Sequence, residues 1–389
     1  MRARFGGPLL ALALLLAVTA AFALVTPRMA VNDGFGYDGK DYASMVLAFR
    51  GQPHPPVLEL HSYRFAPTAL VAASGLETRT AFLWLNLIAT WAGGLLLFAL
   101  LRRYRAPLVL ALLGVLWWCL LPQGLRYVLI YPMQIDGVAF PMLVGLLLAA
   151  LGGRFAVFAA LLPVAILTRE HALVLVPFLW LHQLPRLGFA GATARTALAT
   201  LPALAVYVLA RVASPIPLER IDPTATQIAL ESLRQLPFAW RHMLAAVPLA
   251  LGVLLLLPLA APRRAAAFLR REPAWLYYLA VSILIVAIGG GDYDHNLYTL
   301  SPLLLVLGFA VSGPGLLLAS APGAALLALH AVMTRAYVVY GTDEQSYFAY
   351  SASTMDKDRL VLLTVVNAAA WLAALGIMLA SLRRRLVST

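Results

Sequence analysis

Long apolar runs separated by short polar segments make up most of the chain, and they constrain its fold more than any other feature. A helix that crosses the roughly 30 Å hydrocarbon core of a bilayer needs about 20 apolar residues, and fewer where it ends in a protein-lined cavity. The sequence therefore predicts an all-α bundle with about twelve membrane spans, built as a single integral membrane domain over residues 1–389. The predicted spans are 8–26, 80–101, 107–122, 138–152, 155–168, 171–182, 197–213, 243–261, 275–290, 298–312, 315–335 and 360–382.

The composition agrees with a membrane environment. Hydrophobic residues make up 62% of the chain and charged residues 12%, whereas an average soluble domain is about 45–50% apolar and about 25% charged. These values exclude a soluble globular enzyme, a disordered chain and a collagen-like repeat. Cys119 is the single cysteine, so no disulfide forms within the chain and no redox role is indicated.

The distribution of charge indicates topology. The chain has 29 basic and 17 acidic residues, a net charge of +12, but the arginines stand in short runs between apolar segments, which argues against nucleic-acid binding. With the N-terminus in the cytoplasm, the inside segments hold about half of the basic residues and a single acid, Glu272. Because Lys and Arg favour the cytoplasmic side, the sequence predicts a multi-pass protein of the cytoplasmic (inner) membrane. Both termini lie inside in this topology, and nearly every carboxylate faces outward.

The predicted first outer loop, residues 27–79, is the longest polar segment. Residues 40–50 within it fit a short amphipathic helix at the membrane interface. A loop of this length with several carboxylates exceeds what a simple connection requires. Asp38 and Asp41 are its main candidate acids. The structural alternatives are a turn for Asp38, which precedes a glycine, and a helix cap for Asp41.

Further ionisable residues recur at the predicted outer ends of later spans. Such groups at membrane depth usually face a bundle interior or a wet cavity. The sequence therefore predicts one outward-facing polar cavity that collects them. Together with Tyr37 and Arg64 of the first loop, the candidate substrate-binding residues are Asp136, Arg169, Glu170, His171, Asp292, Asp294 and His295.

The chain resembles the polytopic glycosyltransferases of the GT-C fold, above all bacterial integral membrane members. The resemblance lies in a Tyr37-Asp38-Gly39-Lys40-Asp41-Tyr42 element after the first span, in Tyr63-Arg64-Phe65-Ala66-Pro67, in an acid before the fourth span and in a charged turn before the sixth. It implies that an acid of the first outer loop is the catalytic base. It also implies that the donor is a sugar on a polyprenyl phosphate, which reaches the enzyme through the membrane lipid.

The residue chemistry fits such a reaction. Because phosphate is a good leaving group, one carboxylate that takes a proton from the acceptor hydroxyl suffices, with Asp38 as the first candidate and Asp41 as the second. Arg64, Arg169 and His171 would hold the phosphate. The scheme requires no cofactor and no metal, although it leaves a divalent metal open, and no His/Cys spacing typical of zinc occurs. The acceptor stays unidentified.

Other classes of protein use similar residues. A transporter or lipid flippase would line a translocation pathway with the same polar groups, and it predicts an inverted repeat and helices broken near the midplane. The polar turn at residues 168–171 is a candidate break. A non-catalytic scaffold subunit would tolerate loss of its outer carboxylates. A membrane acyltransferase would work through His171 or His295.

Overall fold

The computed structural model describes residues 2–58, 61–214, 216, 218–219, 227, 230–231, 233–234, 242, 245–288, 293–312, 318–335 and 357–387. These residues are mostly helical, which confirms the all-α class. The α-helices in this part of the chain are α1 (Arg2–Val25), α2 (Asp38–Phe49), α3 (Phe65–Ala73), α4 (Thr78–Arg103), α5 (Leu108–Cys119), α6 (Leu125–Ile130), α7 (Asp136–Leu151), α8 (Phe155–Thr168), α9 (Leu175–Val212), α10 (Pro262–Arg271), α11 (Pro273–Ile288), α12 (Tyr293–Tyr298), α13 (Ser301–Leu305), α14 (Ala321–Met333) and α15 (Lys357–Val387).

Shorter elements complete the described chain. Residues Val31–Gly34, Glu170–Val174 and Gly252–Ala260 form 3₁₀ turns, and a π-helical turn, Val306–Val311, continues α13. A two-residue parallel pairing joins strand Val57–Leu58 of the first loop to strand Leu218–Glu219, with Val57 opposite Leu218. This pairing ties the first loop to the chain that follows α9.

Several helices indicate a membrane protein. Within the described residues, four are long and apolar enough to cross a bilayer: Gly6–Val25, Thr78–Arg103, Glu170–Val212 and Lys357–Ser381. The pair Ala245–Ala260 and Pro262–Arg271, bent by 94°, adds a fifth if it is counted as one span. Six further apolar helices have only 10–17 residues. Large apolar side chains such as Ile88, Leu209 and Leu372 are exposed on the long helices, as expected for a lipid-facing surface.

Helix α9 contains two helices that fold back on each other at Gly188. Gly188 has φ 67° and ψ 177°, a conformation outside the helical region that glycine adopts readily. The Trp180 indole donates a hydrogen bond to the Thr193 hydroxyl at 3.1 Å, whereas 13 residues of straight helix would separate them by about 20 Å. The predicted segments 171–182 and 197–213 therefore lie on opposite sides of a sharp bend at Gly188.

Helix α9 and its neighbours define two ends of the bundle. At one end, here called the arginine end, Arg103 donates to the Leu151 carbonyl, and Arg103 and Arg186 both lie near His182. At the other end, here called the loop end, the Met29 amide donates to the Ile130 carbonyl at 2.8 Å. The first loop, the turn before α7 and the turn after α8 all lie at the loop end.

A large apolar core connects the two ends. Its biggest fully buried side chains include Trp117, which stacks on His330, and Trp118, which stacks on Phe140. Near the arginine end, the Trp275 indole donates to the Tyr104 hydroxyl at 2.7 Å. These aromatic contacts pack α5 against α7 and α14, and α11 against the residue that follows α4.

Candidate active site

The first loop packs tightly on the turn before α7 because glycines allow a close approach. A Cβ atom built on Gly39 would lie only 2.5 Å from the Cβ of Met133, and one built on Gly36 would overlap the Tyr131 ring. Gly36 also has a φ of 69°, which a residue with a side chain rarely adopts. The Gly39 amide donates to the Tyr131 hydroxyl at 3.0 Å. This contact fixes the first turn of α2, where Asp38 lies.

The turn that leads into α2 is held from a second side by α4. The Arg79 guanidinium donates to the Asp33 carbonyl at 2.9 Å, and the side-chain amide of Asn32 donates to the Gly36 carbonyl at 2.7 Å. Asn32 and Asp33 both have left-handed backbone conformations, which Asn and Asp tolerate better than most residues. The backbone around Asp33 is thus fixed as part of the support for α2.

Helix α2 begins at Asp38, so that Asp38, Asp41 and Tyr42 share one face. The predicted helix at 40–50 is confirmed with a start two residues earlier, but its Tyr42, Met45 and Val46 side chains are fully buried in the protein. The expectation that Asp41 caps this helix is wrong. Tyr37, half-buried, occupies the N-cap position, and no side chain caps the helix there.

The Asp41 carboxylate instead binds His61. His61 Nδ1 lies 2.6 Å from Asp41 Oδ2, and both side chains are buried. Because a carboxylate only accepts hydrogen bonds, Nδ1 carries the proton in this contact. His61 Nε2 then faces Asp38 Oδ2 at 3.6 Å. The result is an Asp41–His61–Asp38 row in which Asp38 is the most exposed member, with 34% of its side chain accessible.

Arg64 completes this cluster. Its guanidinium donates to the Tyr42 hydroxyl, and its Nη1 lies 4.0 Å from Asp38 Oδ2. Burial lowers the pKa of Arg64, but Tyr42, Glu170 and Asp38 raise the pKa by more, so it lies above its ordinary value. Burial raises the pKa of Tyr42 to about 12, although Arg64 opposes this shift. Tyr42 therefore stays a neutral phenol beside a permanent cation.

A second polar cluster lies at the turn after α8. Arg169 has an extended backbone that ends α8, and its guanidinium forms an ion pair with the Asp136 carboxylate in the first turn of α7. Both groups line a cavity of about 50 Å³ together with His171, Tyr298 and the apolar side chain of Phe140. The cavity thus combines a charged pair with a mainly apolar lining.

The two clusters are close enough to influence each other. Glu170 raises the pKa of Arg64, and Arg169 counteracts part of the rise in the pKa of Tyr42. At the end of α9, the Arg211 guanidinium stacks on the Tyr63 ring at 3.5 Å from its centroid. The structure therefore brings residues from the first loop, α7, the turn after α8 and α9 to one site at the loop end.

Comparison of the chain with protein-family models, with curated proteins and with solved structures finds no match. No family is assigned.

Most of the predicted site residues lie in these clusters. Asp38, Asp41 and Arg64 form the first, while Asp136, Arg169 and His171 form the second. Glu170 follows Arg169 in the chain and is close enough to Arg64 to raise its pKa. Asp292 lies outside the described residues, and so do the side chains of Asp294 and His295, although the backbone of α12 places the latter two shortly before Tyr298 of the cavity. Within the described chain, no group of three or more His, Cys, Asp or Glu residues is arranged to hold a metal ion.

Three site residues were not predicted. His61 belongs to the polar first loop, and the sequence feature that points to it is its position three residues before Arg64. Tyr42 ends the Tyr37–Tyr42 element of the first loop, and the structure shows it fully buried beneath Arg64. Arg211 lies at the end of an apolar helix, and only the fold reveals that it returns to the first loop.

Proposed function

We propose that the protein is a glycosyltransferase of the GT-C type, with about twelve spans in the cytoplasmic membrane. It moves a sugar from a polyprenyl-phosphate donor to an acceptor hydroxyl on the extracytoplasmic face. The observation that carries this proposal is the convergence of carboxylates and guanidinium groups from distant segments of the chain at one end of an apolar helical bundle. Such groups at membrane depth are costly and usually functional.

Asp38 is the better candidate for the general base. Asp41 is 4% exposed and its carboxylate is engaged by His61 at 2.6 Å. The contacts of Asp38 to His61 and Arg64 are 3.6 and 4.0 Å, longer than hydrogen bonds, and about a third of its side chain is accessible. A base must reach the proton that it removes, and Asp38 is the more accessible carboxylate of the pair.

Arg64 is the first candidate contact for the donor phosphate. Its Nε is buried and has no hydrogen-bond partner among the described residues. A buried donor of this kind is destabilising unless a ligand satisfies it. A guanidinium recognises phosphate oxygens in bidentate fashion. Arg169, which lines the cavity, is the second candidate contact.

The proposed step uses these groups in sequence. Asp38 takes the proton of the acceptor hydroxyl, the hydroxyl oxygen bonds to the anomeric carbon, and the bond from that carbon to the phosphate oxygen breaks. Polyprenyl phosphate leaves with the bonding electron pair. Arg64 and Arg169 stabilise the negative charge that develops on this phosphate. Asp41 orients His61, and His61 holds the α2 face on which Asp38 stands.

The experiment is a donor-turnover assay in proteoliposomes with synthetic farnesyl-phosphate hexoses and pentoses as probes. Mass spectrometry measures the released farnesyl phosphate and the transferred sugar. Asp38→Asn should lower turnover by about 10²–10⁴-fold, the usual contribution of a general base. Asp33→Asn, which changes an acid of the same loop outside the cluster, is the matched control and should turn over normally. Full activity of Asp38→Asn at equal protein level would remove Asp38 from the mechanism.

The extended residue Arg169 between α8 and the following turn favours one alternative, a transporter or lipid flippase, because broken helices line translocation pathways. The same proteoliposomes distinguish the two functions. A transporter would move the intact donor across the bilayer without releasing farnesyl phosphate. The transferase requires cleavage of the sugar–phosphate bond.

A further inference from the structure

The arginine end carries a helix that lies across the bundle. Helix α10 makes an angle of 94° with the preceding helix, Ala245–Ala260, from which it is separated by Ala261. It carries four arginines in ten residues, at positions 263, 264, 270 and 271. Arginine is unfavourable in the hydrocarbon core, so a helix of this composition lies along the membrane surface rather than through it.

The apolar side of α10 is anchored to the bundle. Ala265 is buried, and the Phe268 ring contacts the Tyr104 ring at 5.6 Å between centroids. Tyr104 follows α4 and in turn accepts the hydrogen bond from the Trp275 indole. The position of α10 is thus fixed by packing at the end of the bundle where Arg103 also lies.

Beside α10 lies a cavity of about 380 Å³, lined by Arg264, Phe268, Arg271, Glu272 and Val311. Arg264 and Arg271 are seven residues apart, two helical turns, and therefore stand on the same face. Both are exposed, and no ion pair involves either of them within the described part of the chain. Arg263 and Arg270 are also two turns apart, but they do not line this cavity.

We propose that this cavity binds the headgroup of an anionic phospholipid. Arg264 and Arg271 contact the phosphodiester oxygens, since guanidinium groups match phosphate in geometry and charge. Phe268 contacts the apolar start of the lipid. The Glu272 carboxylate accepts hydrogen bonds from headgroup hydroxyls and disfavours a doubly charged phosphate, so the fitting class is a monoanionic phosphodiester with a hydroxylated headgroup. This site lies at the opposite end from the candidate active site and does not depend on the proposed transferase function.

Native mass spectrometry of the full chain in detergent containing dioleoyl-phosphatidylglycerol tests the proposal, with dioleoyl-phosphatidylcholine as the zwitterionic comparison. The wild-type protein should retain the anionic lipid at least fivefold more than the zwitterionic one. Arg264→Gln/Arg271→Gln should remove this preference. Arg263→Gln/Arg270→Gln removes the same charge from the same helix and should keep it.

Equal losses in the two double variants would overturn the proposal, because diffuse attraction to the arginines would then explain retention. Displacement of the lipid by millimolar inorganic phosphate would also overturn it, because the cavity would then be a site for a free anion. Size-exclusion chromatography establishes that each variant is folded. If Arg264→Gln/Arg271→Gln is not folded, Arg264→Lys/Arg271→Lys replaces it. The lysines keep the charge but lack the planar guanidinium, so this variant should show a reduced preference for the anionic lipid.

Discussion

The contact between Gly39 and the turn before α7 gives the sharpest test of how Asp38 is positioned. A Cβ at residue 39 would lie 2.5 Å from the Met133 Cβ and 3.4 Å from the Tyr131 ring. Ordinary carbon–carbon contacts lie at about 3.5–4.0 Å, so Gly39→Ala must separate α2 from this turn by about 1 Å. Asp38 is the neighbouring residue and moves with the helix.

The expected effects on stability and activity differ in size. Overpacking costs about 1–3 kcal/mol, while alanine recovers up to about 1 kcal/mol through its higher helix propensity. The net loss in the free energy of unfolding is therefore about 0–2 kcal/mol. A displacement of about 1 Å in a catalytic group lowers turnover by about 10²-fold. Gly39→Ala should thus remain folded but be nearly inactive.

The assay combines thermal unfolding with farnesyl-phosphate release from the synthetic donors. Gly376→Ala is the matched control, because it changes a glycine of α15 that has no atom within 4 Å of an added Cβ. Met133→Gly removes the atom that clashes, so the turnover of Gly39→Ala/Met133→Gly should be at least tenfold higher than that of Gly39→Ala. Such recovery is the coupling that a double-mutant cycle measures.

Normal turnover and an unchanged melting temperature in Gly39→Ala would refute the reasoning. The close approach would then not be what holds Asp38 in place. Loss of turnover without recovery in the double variant would show that Met133 is not the obstacle.

Two other predictions concern stability. Asp136→Asn removes the carboxylate that pairs with Arg169 in the cavity lining. Breaking a fully buried pair costs about 3–5 kcal/mol, and this pair is slightly exposed, so denaturant unfolding should show a loss of about 2–3 kcal/mol. Asp136→Asn/Arg169→Gln should be more stable than the single variant, because no unpaired charge then remains. Burial raises the pKa of Glu77, but hydrogen bonds from the Arg79 and Thr80 amides lower the pKa overall. A lowered folded-state pKa stabilises the protein above the unfolded value of about 4.3 and loses that effect as the pH falls through the folded value. Because Glu77 is exposed and solvent screens its charge, Glu77→Gln should destabilise the protein at neutral pH by only about 0.5 kcal/mol, a difference that disappears in acid.

Local patterns in the sequence predicted the helices well. Within the described part of the chain, the apolar runs, the amphipathic segment at 40–50 and the polar break at 168–171 correspond to helices or turns. The break between the predicted segments 171–182 and 197–213 corresponds to Gly188, where the backbone leaves the helical conformation. Such features depend on residues that are close in the chain, and a single sequence records them directly.

The site could be predicted only as a set of residues. Asp41 and His61 are 20 residues apart, and the chain between them contains both a helix and a proline-rich segment, so no spacing rule indicates their pairing. Asp136 and Arg169 belong to opposite ends of two helices and meet only after α7 and α8 pack. Long-range contacts of this kind depend on the fold, and for that reason His61, Tyr42 and Arg211 were missed.

Asp38 and Asp41 differ in how tightly their side chains are bound, and this difference determines which Asn variant tests catalysis and which tests stability. Asp41 has a hydrogen bond of 2.6 Å to a buried histidine, so Asp41→Asn weakens a buried pair and should lower the melting temperature. The contacts of Asp38 are 3.6 and 4.0 Å, and about a third of its side chain is accessible, so Asp38→Asn should leave the melting temperature near that of the wild type. Calorimetry of both variants at neutral pH checks this order. If Asp38→Asn is instead the less stable variant, Asp38 is a structural anchor of α2, and its loss of activity cannot be assigned to proton transfer.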